Sequence, residues 1–170
     1  SEGCRDRRVR MRYRKQAGAL SRFEQVALDP NAAVRLAAVS MATCFGPAKS
    51  APALSRLIAD PDQAVSLKAM NQVADFSDAS TTAAMVQWLA ANEAGCLQPS
   101  PDNTEHCIFA IYATGQSARY EPKGSKLRRA ASEQLKAFLD AKVPKAREVT
   151  VVALSFVGGT ADVEAIKALI

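Results

Sequence analysis

The sequence predicts an all-α fold in which helical hairpins stack on one another. Three observations lead to this prediction. Apolar residues make up 48% of the 170 residues, only 6% are aromatic and alanine is abundant, which favours closely packed helices over a β-sandwich. Apolar residues recur at helical spacing along the chain. A segment that begins near residue 28 is repeated 31 positions later, a period that fits two helices and two turns.

The repeated segment runs from Leu28 to Val39 and again from Ala59 to Met70. In each copy a first helix is expected to end near an aspartate, because the proline that follows cannot extend it. Asn31 in one copy and Asp62 in the other are then placed to cap a second helix through their side-chain oxygens. Each copy therefore predicts a hairpin of two helices.

The other helices follow from apolar stripes and their stop signals. Gly46, Gly115 and Gly158 predict the ends of three second helices, and Leu127–Leu139 predicts one long first helix. A single hairpin cannot bury its apolar face, so neighbouring hairpins must stack. We expect one domain over 1–170, with repeats at roughly 5–46, 47–77, 78–116 and 125–158 and a partial repeat, a terminal helix, at 160–170.

The Asp-Pro turn, the Val34-Arg35 pair early in the second helix and the glycine at its end resemble HEAT-like repeats of the phycobilisome-lyase type. The resemblance implies a right-handed α-α superhelix, a HEAT-like solenoid of about four hairpins plus a terminal helix. It also implies that Asp29, Asp60 and Arg35 have structural roles, since such aspartates and arginines pair between neighbouring repeats and set their stacking.

The resemblance weakens along the chain. Counting back from Gly158 makes Arg147 a second match to the family arginine, whereas Ser66 stands where the second copy should have one. The third hairpin keeps only its apolar pattern and its glycine. The motif is thus specific for a fold and says little about function.

The third hairpin is interrupted by residues 92–107, where Pro, Gly and Asn predict a loop. Cys96 and Cys107 flank this loop at the ends of antiparallel helices, close enough for a disulfide. Such a bond would place the chain in an oxidising compartment, exported or periplasmic, and two free thiols would favour the cytoplasm. Cys4 and Cys44 are a weaker candidate for a second bridge.

Two sharper interpretations of this region are disfavoured. A zinc site would use Cys96, His106, Cys107 and Asp102, but the spacing lacks a Cys-x-x-Cys pair and adjacent residues point to different helix faces. His106 is the only histidine, and no nucleophile motif accompanies it, so we expect an exposed residue at a helix start and not a general base. We therefore expect no catalytic residue, no metal and no cofactor.

The net charge of +5 comes from one end of the chain. Residues 1–15 hold seven basic and two acidic residues, and the remaining residues balance. A helix there would carry a basic patch that favours an anionic surface. A neutral body argues against nucleic-acid binding, because a binding groove needs basic residues along its length. The patch consists of Arg5, Arg8, Arg12 and Lys15.

A stack of hairpins builds an extended groove without catalytic chemistry, so we expect a non-enzymatic protein-interaction or scaffolding module that binds another protein or a peptide. Alternatives are binding of nucleic acid or an anionic surface through the basic N-terminal helix, and an accessory role to an enzyme, as in lyase-type HEAT proteins. Trp88 is an anchor only if it faces the groove. The candidate partner-binding residues are Arg35, Lys68, Asn71, Trp88, Arg147 and Glu148.

Overall fold

The computed structural model describes residues 18–159, and this part of the chain is all-helical, without a β-strand. The predicted all-α class is therefore confirmed for these residues. The expected partial repeat at 160–170 and the basic patch lie outside them. The helices, in chain order, are α1 Ala19–Val26, α2 Ala32–Phe45, α3 Pro47–Ile58, α4 Gln63–Asp75, α5 Ala79–Ala91, α6 Glu93–Leu97, α7 Pro101–Ala118, α8 Lys126–Lys136 and α9 Pro144–Val157.

The helices pack as pairs, each made of a first helix and the second helix that follows it, with the short α6 between the two helices of the third pair. Helices α1 and α2, α3 and α4, α5 and α7, and α8 and α9 contact each other as pairs. The second helices of successive pairs also touch, α2 with α4, α4 with α7 and α7 with α9. Among the first helices, α3 contacts α5 and α5 contacts α8. Along the described chain, second helices therefore contact second helices from α2 to α9, and first helices contact first helices from α3 to α8.

The predicted N-terminal caps of the second helices in the first two pairs are confirmed. Asn31 Oδ1 accepts a hydrogen bond from the backbone N–H of Ala33 at 2.9 Å. Asp62 Oδ1 accepts from Ala64 N and Val65 N at 3.0 and 3.1 Å. These bonds satisfy backbone donors that the first turn of a helix cannot pair internally.

Gly115 does not end its helix, contrary to prediction: α7 continues to Ala118. The glycine serves close packing instead. A Cβ atom built at Gly115 would lie 2.6 Å from the Cα and the carbonyl oxygen of Ala153 on α9. Gly115 therefore marks a close approach between the second helices α7 and α9 and not a helix end.

The predicted loop 92–107 is mostly helical, because α6 occupies Glu93–Leu97 and α7 begins at Pro101. Proline is favoured in the first turn of a helix, where its missing N–H costs nothing. The long first helix expected at Leu127–Leu139 is α8 followed by a 3-10 turn at Ala137–Asp140. Tightening of this kind is common at helix ends.

The described residues share one apolar core, which includes side chains from every helix pair. Small alanines let the helices approach closely, and larger side chains fill the space between them. No helix in the described part of the chain combines the length and apolarity that crossing a lipid bilayer requires. The largest fully buried side chains include Phe23, Leu54, Met70, Met85, Ile111, Leu135, Phe138 and Leu154.

Candidate functional site

A polar groove of about 380 Å³ lies between the second helices α2 and α4. Two of the predicted partner-binding residues, Lys68 and Asn71, line it together, and both are exposed. The groove thus offers a cation, a carboxylate, two amides and two hydroxyls, with one aromatic ring at its end. Its lining residues are Ser40, Thr43, Lys68, Asn71, Gln72, Asp75 and Phe76.

Sequence reasoning found two of these residues and missed the other five. The missed signal was helical spacing. Lys68, Asn71, Gln72 and Asp75 stand at positions i, i+3, i+4 and i+7 of α4 and so share one face. That face turns away from the core, whereas Ala69 and the other core residues of α4 are buried. The contribution of Ser40 and Thr43 depends on how α2 lies against α4, which the local pattern does not contain.

Arg35 is held within the scaffold by four side-chain hydrogen bonds. Its Nε and Nη2 donate to the two carboxylate oxygens of Asp60 at 2.7 and 2.8 Å, joining the first pair of helices to the turn of the second. Its Nη1 donates to the carbonyls of Asp29 and Pro30 at 2.9 and 3.0 Å. Asp60 Oδ1 also accepts from Asp62 N at 2.9 Å, which holds the carboxylate in place. Bidentate geometry of this kind orients as well as attracts.

The ion pair perturbs both partners in the expected directions. The hydrogen bond from Arg35 lowers the pKa of Asp60, and burial opposes this only in part. The hydrogen bond to Asp60 raises the pKa of Arg35. Both groups are therefore ionised at neutral pH, with little guanidinium surface left for a partner.

His106 is buried, contrary to the prediction of an exposed residue at a helix start. Only 7% of its surface is accessible. Its ring packs against Trp88 with the ring centroids 4.7 Å apart, and its Nε2 lies 3.0 Å from the hydroxyl oxygen of Ser66. Because α7 starts earlier than predicted, His106 faces α4 and α5 from within the second turn of α7. Burial lowers the pKa of His106.

The Ser66–His106 pair has the wrong polarity for a nucleophile and its base. Ser66 Oγ donates its one hydrogen to the carbonyl of Ile58 at 2.5 Å. Its oxygen therefore accepts from His106, so the imidazole carries its proton on Nε2 and cannot take one from Ser66. Ser66 is also fully buried. The pair joins α7 to α4, as Arg35 and Asp60 join the first two hairpins.

Trp88 lies away from the α2–α4 groove. It lines two other depressions, one of about 340 Å³ with Asp60, Asp102 and His106, and one of about 430 Å³ with Ser55 and Gln87. These lie at the helix-turn edge of the stack and on the first-helix layer. The structure thus separates Trp88 from Lys68 and Asn71, which the sequence grouped as one binding set.

The predicted Cys96–Cys107 disulfide is confirmed, with a Cα–Cα distance of 5.3 Å. It ties α6 to the second turn of α7. Both sulfurs are used in this bond, so neither is available as a thiolate ligand, and the zinc arrangement is not formed. Cys44 is also disulfide-bonded, and the Cys4 end of the predicted second bridge lies outside the described residues.

Arg147 and Glu148 lie at the start of α9, far along the stack from Arg35. Arg147 Nη1 donates to the carbonyls of Ala141 and Lys142 at 2.7 and 3.3 Å. Glu148 forms an exposed ion pair with Lys145 at 2.8 Å. Neither residue lines the α2–α4 groove.

A second group of basic residues precedes and begins α8: Arg119, Lys123, Lys126, Arg128 and Arg129. Within this group, Arg128 binds the backbone of neighbouring elements. Its guanidinium donates to the carbonyls of Phe156 and Val157 at 3.0 and 2.8 Å, and to those of Arg119 and Glu121 at 3.1 and 2.9 Å. It therefore closes the end of α9 and fastens it to the turn after α7.

Comparison of the chain with protein-family models, with curated proteins and with solved structures finds no match.

Proposed function

We propose that this chain is a non-enzymatic protein-interaction module, a right-handed HEAT-like solenoid that binds an extended peptide segment of a partner in the groove between α2 and α4. The polar lining of that groove, with Lys68 and Asn71 on one face of α4, is the observation that carries the proposal. In this proposal the second helices form the concave layer of the solenoid.

The pairing of the helices supports this architecture. Second helices contact second helices along the chain, from α2 through α4 and α7 to α9, and first helices form their own layer from α3 through α5 to α8. A two-layer stack of this kind presents one face of every second helix to the same side. The Arg35–Asp60 pair between successive hairpins agrees with the family resemblance.

The chemistry of the groove favours a peptide over a small apolar ligand. The side-chain amides of Asn71 and Gln72 each carry a donor and an acceptor, which match the N–H and C=O of a peptide group. Lys68 and Asp75 sit at either end of the same helical face, so they set a preference for a segment with opposite charges at two positions. Phe76 offers a surface for one apolar side chain.

The disulfide suggests where the partner is met. Cys96 and Cys107 form a buried bond, and structural disulfides persist in oxidising compartments. We therefore propose an exported or periplasmic location for the module and its partner. The alternative in which the basic N-terminal helix binds an anionic surface concerns residues outside those described and draws no support from the groove.

A library of synthetic peptides displayed under oxidising conditions tests the proposal. The full chain is expected to select peptides with charged residues at two positions. The substitutions Lys68→Glu and Asn71→Ala are each expected to weaken binding of a selected peptide about tenfold, the scale of one lost interfacial ion pair or hydrogen bond.

Lys49→Glu is the matched control, because Lys49 is an exposed lysine on the first helix α3 and lies outside the groove. It changes the net charge as Lys68→Glu does and is expected to leave binding unchanged. If Lys49→Glu weakened peptide binding as much as Lys68→Glu does, the loss would be due to net charge, and the result would contradict a role for Lys68 in the groove. Selected peptides that bind the Lys68→Glu and Asn71→Ala variants as tightly as the unaltered chain would refute the groove as the binding site.

A further inference from the structure

An open depression of about 340 Å³ lies where the second and third hairpins meet. It is formed by the turn before α4, the start of α4, the end of α5 and the first two turns of α7. Further helix pairs lie on both sides of this junction, so the depression belongs to the middle of the described stack. The lining residues whose chemistry matters here are Gln63, Trp88, Asn92, Asp102, Asn103 and His106.

The side-chain amides of the depression are anchored through their nitrogens. Gln63 Nε2 donates to the backbone carbonyl of Asp102 at 3.1 Å, which joins the two hairpins. Asn92 Nδ2 donates to a carbonyl of its own helix at 2.8 Å, and Asn103 Nδ2 donates to Cys107 Sγ at 3.3 Å. None of the three amide oxygens accepts a hydrogen bond from the described residues. These oxygens are therefore left as acceptors on the wall of the depression.

His106 adds a nitrogen acceptor from a buried position. Only 7% of the residue is exposed, and it lines the depression. Its Nε2 carries the proton that is shared with Ser66, so Nδ1 is the unprotonated nitrogen. Nδ1 forms no hydrogen bond with the described residues, and it is not one of their enclosed unpaired atoms, which are Ser55 Oγ, Thr82 Oγ1 and Gln116 Oε1. It therefore meets the surface within this depression.

Trp88 and Asp102 supply a ring and a charge. The indole is half-buried, with its centroid 4.7 Å from that of His106, and it lines both this depression and the neighbouring one of about 430 Å³. Asp102 is exposed, and no cation of residues 18–159 forms an ion pair with it. Asp60 also lines the depression, but its charge is balanced by Arg35. One unbalanced negative charge thus lies beside an aromatic ring.

We propose that this depression binds the guanidinium group of an arginine side chain on a partner protein. A guanidinium is flat and positively charged, and its N–H donors lie in one plane. It can lie against the indole of Trp88 while it donates to the carboxylate of Asp102 and to the surrounding amide oxygens. The ring, the charge and the acceptors thus match its three properties. The inference concerns a surface apart from the α2–α4 groove and does not depend on what that groove binds.

The fluorescence of Trp88 tests the proposal, because it is the only tryptophan of the chain. The probe is arginine capped by an acetyl group and a methylamide, titrated into the full oxidised chain. A saturable change in emission is expected, with an affinity on the order of millimolar, the scale of a small ligand with few contacts. The indole N–H signal in NMR spectra is the second readout. Capped citrulline, the neutral isostere, is expected to give no saturable change.

Two carboxylate variants locate the bound charge. Asp102→Asn is expected to weaken binding of capped arginine about tenfold, because one charge-assisted hydrogen bond is lost. The substitution retains the backbone carbonyl that Gln63 binds. Glu105→Gln is the matched control, since Glu105 is an exposed carboxylate on the same helix and lies outside the depression. It removes the same charge and is expected to bind like the unaltered chain.

Free arginine distinguishes a partner's side chain from the amino acid itself. It is expected to bind no more tightly than the capped form, because the acceptors and the negative charge of the depression do not complement its carboxylate. Capped lysine is expected to bind more weakly, since an ammonium group has no plane to lay against the ring. The proposal would be overturned by tighter binding of free arginine or of capped lysine, by an equal response to capped citrulline, by equal losses in the two carboxylate variants, or by no response to capped arginine in either readout.

Discussion

The first two hairpins and the third hairpin join to their neighbours by different chemistry at corresponding positions. Between the first and second hairpins, Arg35 binds Asp60 as an ion pair. One repeat later, at the position of Arg35, Ser66 bonds to His106, which packs on Trp88. The third hairpin adds the Cys96–Cys107 disulfide. The comparison shows that successive helical pairs can join with or without the charged pair, because Ser66 and His106 satisfy each other at the corresponding position.

The largest effect on stability is expected from removing the disulfide, which is particular to the third hairpin. Replacing both Cys96 and Cys107 by alanine is expected to lower the free energy of unfolding by about 2–4 kcal/mol, because the bond constrains the unfolded chain. Urea denaturation measures it. The double variant is preferable to a reducing agent, since reduction would also open the bond of Cys44. A change within error of zero would show that α6 is held by packing alone.

The next effect concerns the contact between the third and fourth hairpins. Gly115→Ala is expected to destabilise the chain by about 1–3 kcal/mol, because its new methyl group would collide with the backbone of Ala153. Gly95→Ala is the control, since nothing lies within 4 Å of a Cβ there. That substitution is expected to be neutral or stabilising by up to about 1 kcal/mol. If both glycine variants behaved alike, the close approach of α7 to α9 would be wrong.

A smaller effect on stability is expected from the Arg35–Asp60 ion pair, and its pH dependence distinguishes this junction from the Ser66–His106 junction. The pKa of Asp60 is lowered in the folded state, so its contribution is complete above its ordinary value of 3.8 and is lost as the pH falls through the folded value. Asp60→Asn is therefore expected to be less stable than the unaltered chain at neutral pH, with the difference shrinking in strong acid. Urea midpoints from neutral to acidic pH measure this. A constant difference would exclude the carboxylate charge as the cause.

The smallest effect on stability is expected from the Ser66–His106 junction, and it occurs at a higher pH than that of Asp60. Burial lowers the pKa of His106 below 6.5, so the unfolded chain binds a proton first and stability declines as the pH falls below that value. His106→Gln keeps a donor for Ser66 but does not titrate. It is expected to flatten the slope of unfolding free energy between about pH 7 and about pH 5. An unchanged slope would assign the titration to another group.

Features that depend only on residues close in sequence could be predicted from the sequence. The caps at Asn31 and Asp62 and the helix end at Gly46 need only neighbours in sequence. The pairing of Cys96 with Cys107 needed one further assumption, that the two flank antiparallel helices. The repeated segment then extended these signals to the all-α class.

Features set by distant neighbours were predicted poorly. Gly115 looks the same in sequence as a helix stop or as a contact glycine, and only the position of Ala153 decides between them. His106 was expected to be exposed because α7 was predicted to start near residue 107. The helix starts at Pro101 instead, so His106 lies in its second turn and contacts Ser66. The groove was predicted only in part. The polar face of α4 follows from the spacing of its residues in the sequence, whereas the contribution of α2 depends on how the two helices pack.

The most direct test of the central claim is to map a bound peptide by NMR. A selected peptide is titrated into the isotope-labelled chain, and the backbone amide shifts are followed. The account predicts that the largest changes occur along the exposed faces of α2 and α4, around Thr43, Asn71 and Asp75. Changes concentrated around Trp88, or along α8, with α4 unaffected would contradict it.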